Sequence, residues 1–430
     1  MFDLQYLKEG IRCTVSFDST EGPKIFPDSE LRYTQREGGT LKIAMSFFEW
    51  RKDIEGVTVS TQNGKVYIPT ARYQSGDPYN RGILSIFHFD HALAGDLEFA
   101  PFEDAFDRAE AVLDHGHHYW GKNGVESKTR TIDCVDLHCT RSDHFHTELP
   151  EIGSTWINIG FNIIPEGSGR QTVLQHDRLI VDFTDSAIVG DIIAPINKVV
   201  NFWEFMLHRP QDPEQIVFSS KHHGRKAHFF QQQKMPTATG AAWYQTGHLQ
   251  LPWERCNEHL EKLLQCWMKL DHKSPWMDNL LRIIWFRDFP ADVRFFMAYT
   301  ALQGIGAELL VARPLLQKGG KEEERLWKDF ESYWGHMLFT LTASREEEEI
   351  LKVARSYTDR VVLTRHHFAH LSKTDKDIFT GRDLEVAFLR LIMVLKGMFL
   401  HKAGAPERTW KYVVEQWAAR IGLAETQKFP

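Results

Sequence analysis

The segment LTRHHFAHL, residues 363–371, holds one arginine and three histidines within six positions. Arg365 is followed directly by His366, and His370 stands four residues after His366. An imidazole can accept or donate a proton near neutral pH, and a guanidinium stays charged and offers a fork of donors to phosphate oxygens. Together these residue types suit proton transfer beside a bound phosphate group.

The three side chains would divide this chemistry between them. His370 is the candidate for proton transfer, and Arg365 for stabilising negative charge on the phosphate and in the transition state. His366 would orient the site or supply a second proton-transfer group. The simpler interpretation is structural, because histidines in the last turn of a helix also interact favourably with exposed carbonyls and the helix dipole.

A long amphipathic helix is predicted to carry these residues. Ser344-Arg-Glu-Glu347 forms a capping box, and the helix is expected to end soon after His370, before Thr380-Gly-Arg-Asp383 starts the next helix. At 100° per residue, Arg365 lies at the edge of the apolar stripe, and His366 and His370 lie on the opposite side. The predicted stripe consists of Ile350, Val353, Ala354, Tyr357, Val361 and Phe368.

The arrangement Arg365-His366-x3-His370 resembles the signature of the HEPN superfamily of helical ribonucleases, on a long helix of an α-helical bundle. Within that superfamily the chain resembles the ApeA-type antiphage proteins, through TRHHFAHLSKTD and, more diffusely, KVVNFWEFMLHRPQDPEQIVF. In the preceding helix, where a Glu would suit the family pattern, TALQGIGAELL has Gln303 and Glu308. Neither is included in the catalytic set.

The resemblance implies a metal-independent endoribonuclease without cofactors, which leaves a 2′,3′-cyclic phosphate and a 5′-hydroxyl. It implies a homodimer through the helical domain, because family members pair two motifs across one groove. It also implies a role in abortive infection, in which a phage protein acts on the N-terminal domain and releases cleavage of host RNA, with tRNA as the expected substrate.

The whole chain is predicted to be an α+β protein of two domains. Residues 1–235 read as a β-rich sensing or regulatory domain, residues 236–250 as a linker, and residues 251–430 as an all-α HEPN bundle. Asn63-Gly64 between two alternating runs is a strong hairpin signal. Within the β-rich part, helices are predicted at FEDAFDRAEAVLDHG and from Pro195 to Leu207. Strands are predicted at GIRCTVSF, LKIAMSFF, TRTIDCVDL, STWINIGFNII and RLIVDF.

Charge and composition bound the possible partners. The net charge of −7 argues against a general basic coat for nucleic acid, but residues 351–430 hold 14 Lys+Arg and 8 Asp+Glu. A locally basic end suits an anionic ligand at one place, or simply a solvated helix face. The N-terminus has no signal-peptide pattern, no apolar run approaches a membrane span, and the 5 cysteines are sparse. We therefore expect a cytoplasmic protein with no membrane partner.

Other chemistries have weaker signals. HHFAH has the spacing of a zincin helix but lacks its Glu, and GIGAEL lacks the third glycine of a dinucleotide loop. A His/Cys cluster without a CxxC pair leaves zinc binding open, although solvated side chains on a strand are the favoured interpretation. Its members are Cys134, His138, Cys139, His144 and His146. The alternative from another class is a non-catalytic dimeric protein that binds a ligand or nucleic acid through a degenerate HEPN bundle.

Overall fold

The fold is described by a computed structural model. Its residues group into two compact units, one of Met1–Asn197 with Gln211–Pro236 and the other of Lys198–Pro210 with Thr237–Pro430. The first unit is β-rich and the second is helical, which confirms the predicted α+β class. The described residues are 4–19, 22–34, 37–44, 53–77, 84–95, 105–113, 125–130, 135–139, 143–149, 152–166, 170–211, 213, 216–220, 224, 226–232, 250–285, 289–311, 328, 347–370 and 377–420.

Six antiparallel strands close into a barrel in the first unit. Around the barrel the order is β1, β2, β3, β6, β5 and β4, and β4 pairs again with β1. Alternate side chains of each strand fill the interior, as the two-residue period of a strand requires. The strands are β1 (Ile11–Ser19), β2 (Gly22–Thr34), β3 (Gly38–Ala44), β4 (Ile54–Thr61), β5 (Gly64–Asp77) and β6 (Leu84–Phe89), preceded by helix α1 (Leu4–Glu9).

The predicted hairpin at Asn63-Gly64 is confirmed as the connection between β4 and β5. Thr61 pairs with Gly64, so the loop itself is Gln62 and Asn63. The Thr61 hydroxyl donates to the Gly64 carbonyl at 2.8 Å and accepts from the Asn63 amide at 3.1 Å. Gly64 has φ of 127°, a conformation that glycine adopts without a steric penalty.

The barrel continues into a longer antiparallel sheet through β5. Beyond β5 the order is β7, β15, β14, β8, β13, β12 and β11, and β9 and β10 form a separate two-stranded sheet. These strands are β7 (His91–Gly95), β8 (Ala105–Leu113), β9 (Val125–Arg130), β10 (Val135–Cys139), β11 (Asp143–Leu149), β12 (Gly153–Glu166), β13 (Arg170–Ile188), β14 (Ile216–Ser219) and β15 (Lys226–Gln231).

The helix predicted at FEDAFDRAEAVLDHG is wrong. Its described residues form β8, which lies between β13 and β14 in the sheet. Ala109, Ala111 and Leu113 are buried in alternation, whereas Val112 is exposed. Pairing with strands distant in sequence overrides the local helical spacing.

Helix α2 (Val189–Leu207) begins six residues before the predicted start at Pro195, which lies inside the helix. The division between the two units falls within this helix, between Asn197 and Lys198. The sequence pattern instead predicts a β-rich domain over residues 1–235, a linker over 236–250 and a helical domain over 251–430.

The described residues of the helical unit form helices, as expected for residues 251–430. Its core joins Phe205 of α2 to Trp267 and Phe399, with ring centroids 5.0 and 5.1 Å from that of Phe205. The segment EEERLWKDFESYWGHMLFTL, predicted as a helix, lies outside the described residues apart from Lys328. The helices are α3 (Trp253–Cys256), α4 (Leu260–Met268), α5 (Pro275–Trp285), α6 (Ala291–Gly306), α7 (Glu347–His370), α8 (Gly381–Lys402) and α9 (Glu407–Arg420), with a 3₁₀ turn at Asn257–His259 and a π turn at Ala307–Val311.

Candidate functional site

Helix α7 carries the three predicted catalytic residues in its last two turns. Its stripe of Ala354, Tyr357 and Val361 is buried, as the apolar spacing predicts. Val353 and Phe368 are half-buried, and the side chain of Ile350 and the predicted cap at Ser344 lie outside what the structure describes. Helix α7 ends at His370, and Thr380 takes the extended conformation of an N-cap before α8.

Thr364 and Arg360 fix the end of α7 to the segment that leads into α8. The buried Thr364 hydroxyl donates to the Arg360 carbonyl at 2.7 Å and accepts from the Phe379 amide at 3.0 Å. The Arg360 guanidinium donates to the Ile378 carbonyl at 3.2 Å and lies 4.2 Å from the centre of the Phe379 ring. These contacts hold the helical turns from which the candidate site projects.

His366 and His370 are both exposed, and their rings are adjacent. The ring centroids are 4.5 Å apart with 55° between the ring planes. Residues four apart in a helix lie one turn above each other on the same face. Both imidazoles can therefore reach a molecule that approaches this face of α7.

Arg365 is half-buried and turns toward α6. Its guanidinium carbon lies 5.9 Å from the centre of the Phe296 ring and 5.8 Å from that of the Tyr299 ring. Within the described part of the chain Arg365 has no carboxylate partner, and its Nε is buried without a hydrogen bond. By contrast, Arg360 lies 3.5 Å from Asp377, and Arg294 forms an ion pair with Glu385. A guanidinium held by aromatic rings retains its donors for an anion.

His367 has different surroundings from its two neighbours. It is half-buried, its ring lies against Phe368 at a centroid distance of 5.3 Å, and its Nδ1 is buried without a hydrogen-bond partner. Sequence spacing alone does not separate His367 from His366. The structure does, because one ring packs against the protein and the other reaches solvent.

Glu308 has a structural role that fits its omission from the catalytic set. One carboxylate oxygen accepts from the Trp276 indole at 2.7 Å and the other accepts from the Asp271 amide at 2.9 Å. Gly304, in the segment GIGAEL, allows close packing, because a Cβ at this position would lie 2.0 Å from Cγ of Trp276. This glycine therefore accommodates an indole of α5.

The His/Cys cluster is described only in part. Residues Val135–Cys139 form a strand as predicted, but TRTIDCVDL divides into two strands, with Val135 paired to Arg130. Cys134 and the side chains of His138, Cys139 and His144 lie outside the described residues. His146 is exposed, 3.5 Å from Glu148. Among the side chains that are described, no group of three potential metal ligands occurs, and zinc binding by the cluster stays open.

The sequence alone did not identify the residues that position the site. Phe296 and Tyr299 surround Arg365, and Thr364 with Arg360 anchors the helix end. Thr364 interrupts an otherwise apolar run in VVLTR, and that polar residue was the available signal. No comparable signal marks Phe296 and Tyr299, which resemble any aromatic residues of a helical core.

Comparison with known proteins finds no matching protein-family model, no matching curated protein and no matching solved structure. Among the helices that the structure describes, none is long and apolar enough to cross a membrane.

Proposed function

We propose that this chain is a metal-independent endoribonuclease of the HEPN type, which cleaves host RNA, with tRNA as the expected target, in antiphage abortive infection. One observation carries the proposal. The last turns of α7 present two adjacent exposed imidazoles and a guanidinium without a described carboxylate partner. This combination offers proton transfer and anion binding within one short segment.

The reaction assigns a task to each group. A base removes the proton of the ribose 2′-hydroxyl, whose oxygen then bonds to the neighbouring phosphorus. The bond from phosphorus to the 5′ oxygen breaks, and an acid protonates that oxygen. His370 transfers protons, His366 orients the site or supplies the second group, and Arg365 stabilises the negative phosphoryl oxygens. The products are a 2′,3′-cyclic phosphate and a 5′-hydroxyl, and no metal or cofactor is consumed.

The directions of the side chains support a homodimer through the helical unit. Arg365 faces the rings of α6, whereas His366 and His370 face solvent. Residues five apart in a helix point about 140° away from each other. Two copies of α7 that face each other would supply arginine from one protomer and histidine from the other. In this proposal the β-rich unit receives the phage protein that triggers cleavage in the cytoplasm.

The direct test is cleavage of total tRNA by purified protein in EDTA, with and without lysate from phage-infected cells. We expect His370→Ala and Arg365→Ala each to lower the cleavage rate by about 10²–10⁴-fold, and Arg365→Lys to restore little, because a lysine cannot offer the planar fork. His401→Ala is the matched control, since His401 is also exposed in the last turn of a helix of this unit.

End-group analysis identifies the mechanism. A 2′,3′-cyclic phosphate on the product supports attack by the 2′-hydroxyl, and a 3′-hydroxyl excludes it. Intact RNA under every activating condition, with unchanged binding of RNA by His370→Ala, would instead support the non-catalytic binding protein.

A further inference from the structure

The exposed pair His366 and His370 has a geometry that the cleavage chemistry does not require. Two rings at i and i+4 lie with their centroids 4.5 Å apart, inclined at 55°. Within the described residues neither ring has a hydrogen-bond or ion-pair partner, so the nitrogen lone pairs are available. The turn beneath them is fixed by Thr364 and Arg360, so the spacing is set before any ligand arrives.

The separation of the rings matches joint coordination of one cation. A metal ion about 2.0–2.1 Å from an imidazole nitrogen, in the ring plane, lies about 3.2 Å from the ring centroid. Two rings that share one ion can therefore have centroids up to about 6.4 Å apart, and the observed 4.5 Å lies within that span. Cu²⁺ and Ni²⁺ bind imidazole nitrogens well, and Cu²⁺ stands highest in the general affinity order of the divalent ions.

Among the described neighbours of the pair, no side chain adds a third nitrogen. His367 has a buried Nδ1 and packs against Phe368, and Arg365 turns toward α6. Water would complete the coordination. The pair also lacks the Glu that activates water in a zincin helix, so the bound ion would not be hydrolytic.

We propose that His366 and His370 form a binding site for Cu²⁺ or Ni²⁺, and that the bound ion inhibits the chain. Binding stands on the geometry alone, whereas inhibition rests on the proposed nuclease function. The ion occupies the nitrogens that proton transfer requires, so it blocks cleavage and is removed by EDTA.

Binding is tested on the full chain with CuCl2 and NiCl2, by calorimetry and by the nitrogen hyperfine signal of bound Cu²⁺. Other histidines of the chain can also bind these ions, so the measured quantity is the difference between variants. We expect the double variant His366→Ala/His370→Ala to bind one ion fewer than wild type, and each single variant to weaken that site by more than about tenfold. His367→Ala is the matched control and should keep the site. Equal numbers of ions on wild type and the double variant would overturn the proposal, as would tighter binding of Zn²⁺ than of Cu²⁺.

Inhibition is tested separately, by RNA cleavage at increasing NiCl2. We expect the cleavage rate of wild type and His367→Ala to fall as the site fills and to return with EDTA. If the chain cleaves no RNA but the double variant still binds one ion fewer, the metal site stands and the proposed function fails. If cleavage proceeds unchanged with the site filled, the inhibition is refuted.

Discussion

At the scale of single residues, Lys396 is a fully buried lysine of the helical unit. Its side chain is fully buried in α8, and its Nζ donates to the carbonyl of Phe205 at 2.5 Å. The Phe205 ring lies 5.0 Å from the same nitrogen. Burial lowers the pKa of Lys396 well below its ordinary value of 10.5, because the charged form loses its hydration.

We predict that Lys396 makes stability depend on pH. The folded pKa is lowered, so between that value and the ordinary one the unfolded chain binds more protons than the folded chain. The free energy of unfolding then rises as pH rises through this interval, by about 1.4 kcal/mol for each unit of pKa shift. In Lys396→Met this contribution disappears. The free energy of unfolding, measured with denaturant, should therefore rise less between pH 7 and pH 9.5 in this variant than in wild type.

The control for that comparison is Lys402→Met, which removes an exposed lysine from the same helix. It should keep the pH dependence of wild type. Lys396→Met also loses the hydrogen bond to the Phe205 carbonyl. This loss lowers stability at both pH values, so it cancels when the two free energies of unfolding are subtracted. If the free energy of unfolding of Lys396→Met rises with pH as much as that of wild type, burial of Lys396 does not couple proton binding to folding.

At the scale of elements, the packing of α5 against α6 depends on Gly304. A Cβ there would lie 2.0 Å from Trp276, and the indole is held by a hydrogen bond to Glu308. We predict that Gly304→Ala destabilises the chain by about 1–3 kcal/mol, because the ring cannot move aside without breaking that bond. Thermal unfolding of the full chain measures the effect.

Gly190→Ala provides the comparison for a glycine in a helix. A Cβ at Gly190 meets no atom within 4 Å, and alanine is the better helix former, so this variant should be neutral or slightly stabilising. Equal stability of both variants would mean that the contact between Gly304 and Trp276 is easily relieved.

Elements with a strong local signal were predicted from the sequence, and those shaped by distant partners were not. The β4–β5 hairpin follows from Asn63-Gly64 within a few residues. Residues 105–113 gave a helical pattern, yet they form β8 because β13 and β14 supply partners from later in the chain. The end of α2 also depends on a residue distant in sequence, because the Leu251 amide donates to the Met206 carbonyl at 2.9 Å.

For the candidate site, too, the sequence predicted the features set by local geometry and not those set by distant residues. The spacing of His366 and His370 on one helix predicted their shared exposed face, because helical geometry is local. The environment of Arg365 was not predictable, since Phe296 and Tyr299 belong to another helix more than sixty positions earlier. The catalytic roles themselves remain predictions.

At the scale of the whole molecule, the helical unit is not the continuous segment 251–430. Lys198–Pro210 belongs to it and contributes Phe205 to the core with Trp267 and Phe399. The Trp267 indole also donates to the Lys198 carbonyl at 2.9 Å. Removing this segment leaves a gap where a large aromatic side chain was packed.

We predict that residues 251–430 alone unfold at a lower temperature and with less cooperativity than a fragment in which residues 198–210 are joined by a short linker to residues 237–430. Circular dichroism during heating provides the measurement. In the full chain Phe205→Ala should cost about 3–5 kcal/mol, because it opens a cavity in the same core. Equal melting of the two fragments would show that the segment contributes nothing to the stability of the helical unit.

The placement of Lys198–Pro210 also constrains how such a protein can exchange parts with a relative. A chimera joined once, near residue 250, would set this segment from one parent into a bundle from the other. Phe205 would then meet substituted partners at the positions of Trp267 and Phe399. Recombination that preserves both cores therefore needs crossovers on either side of Lys198–Pro210 as well as at the later junction. The β-rich unit cannot be replaced by a single exchange.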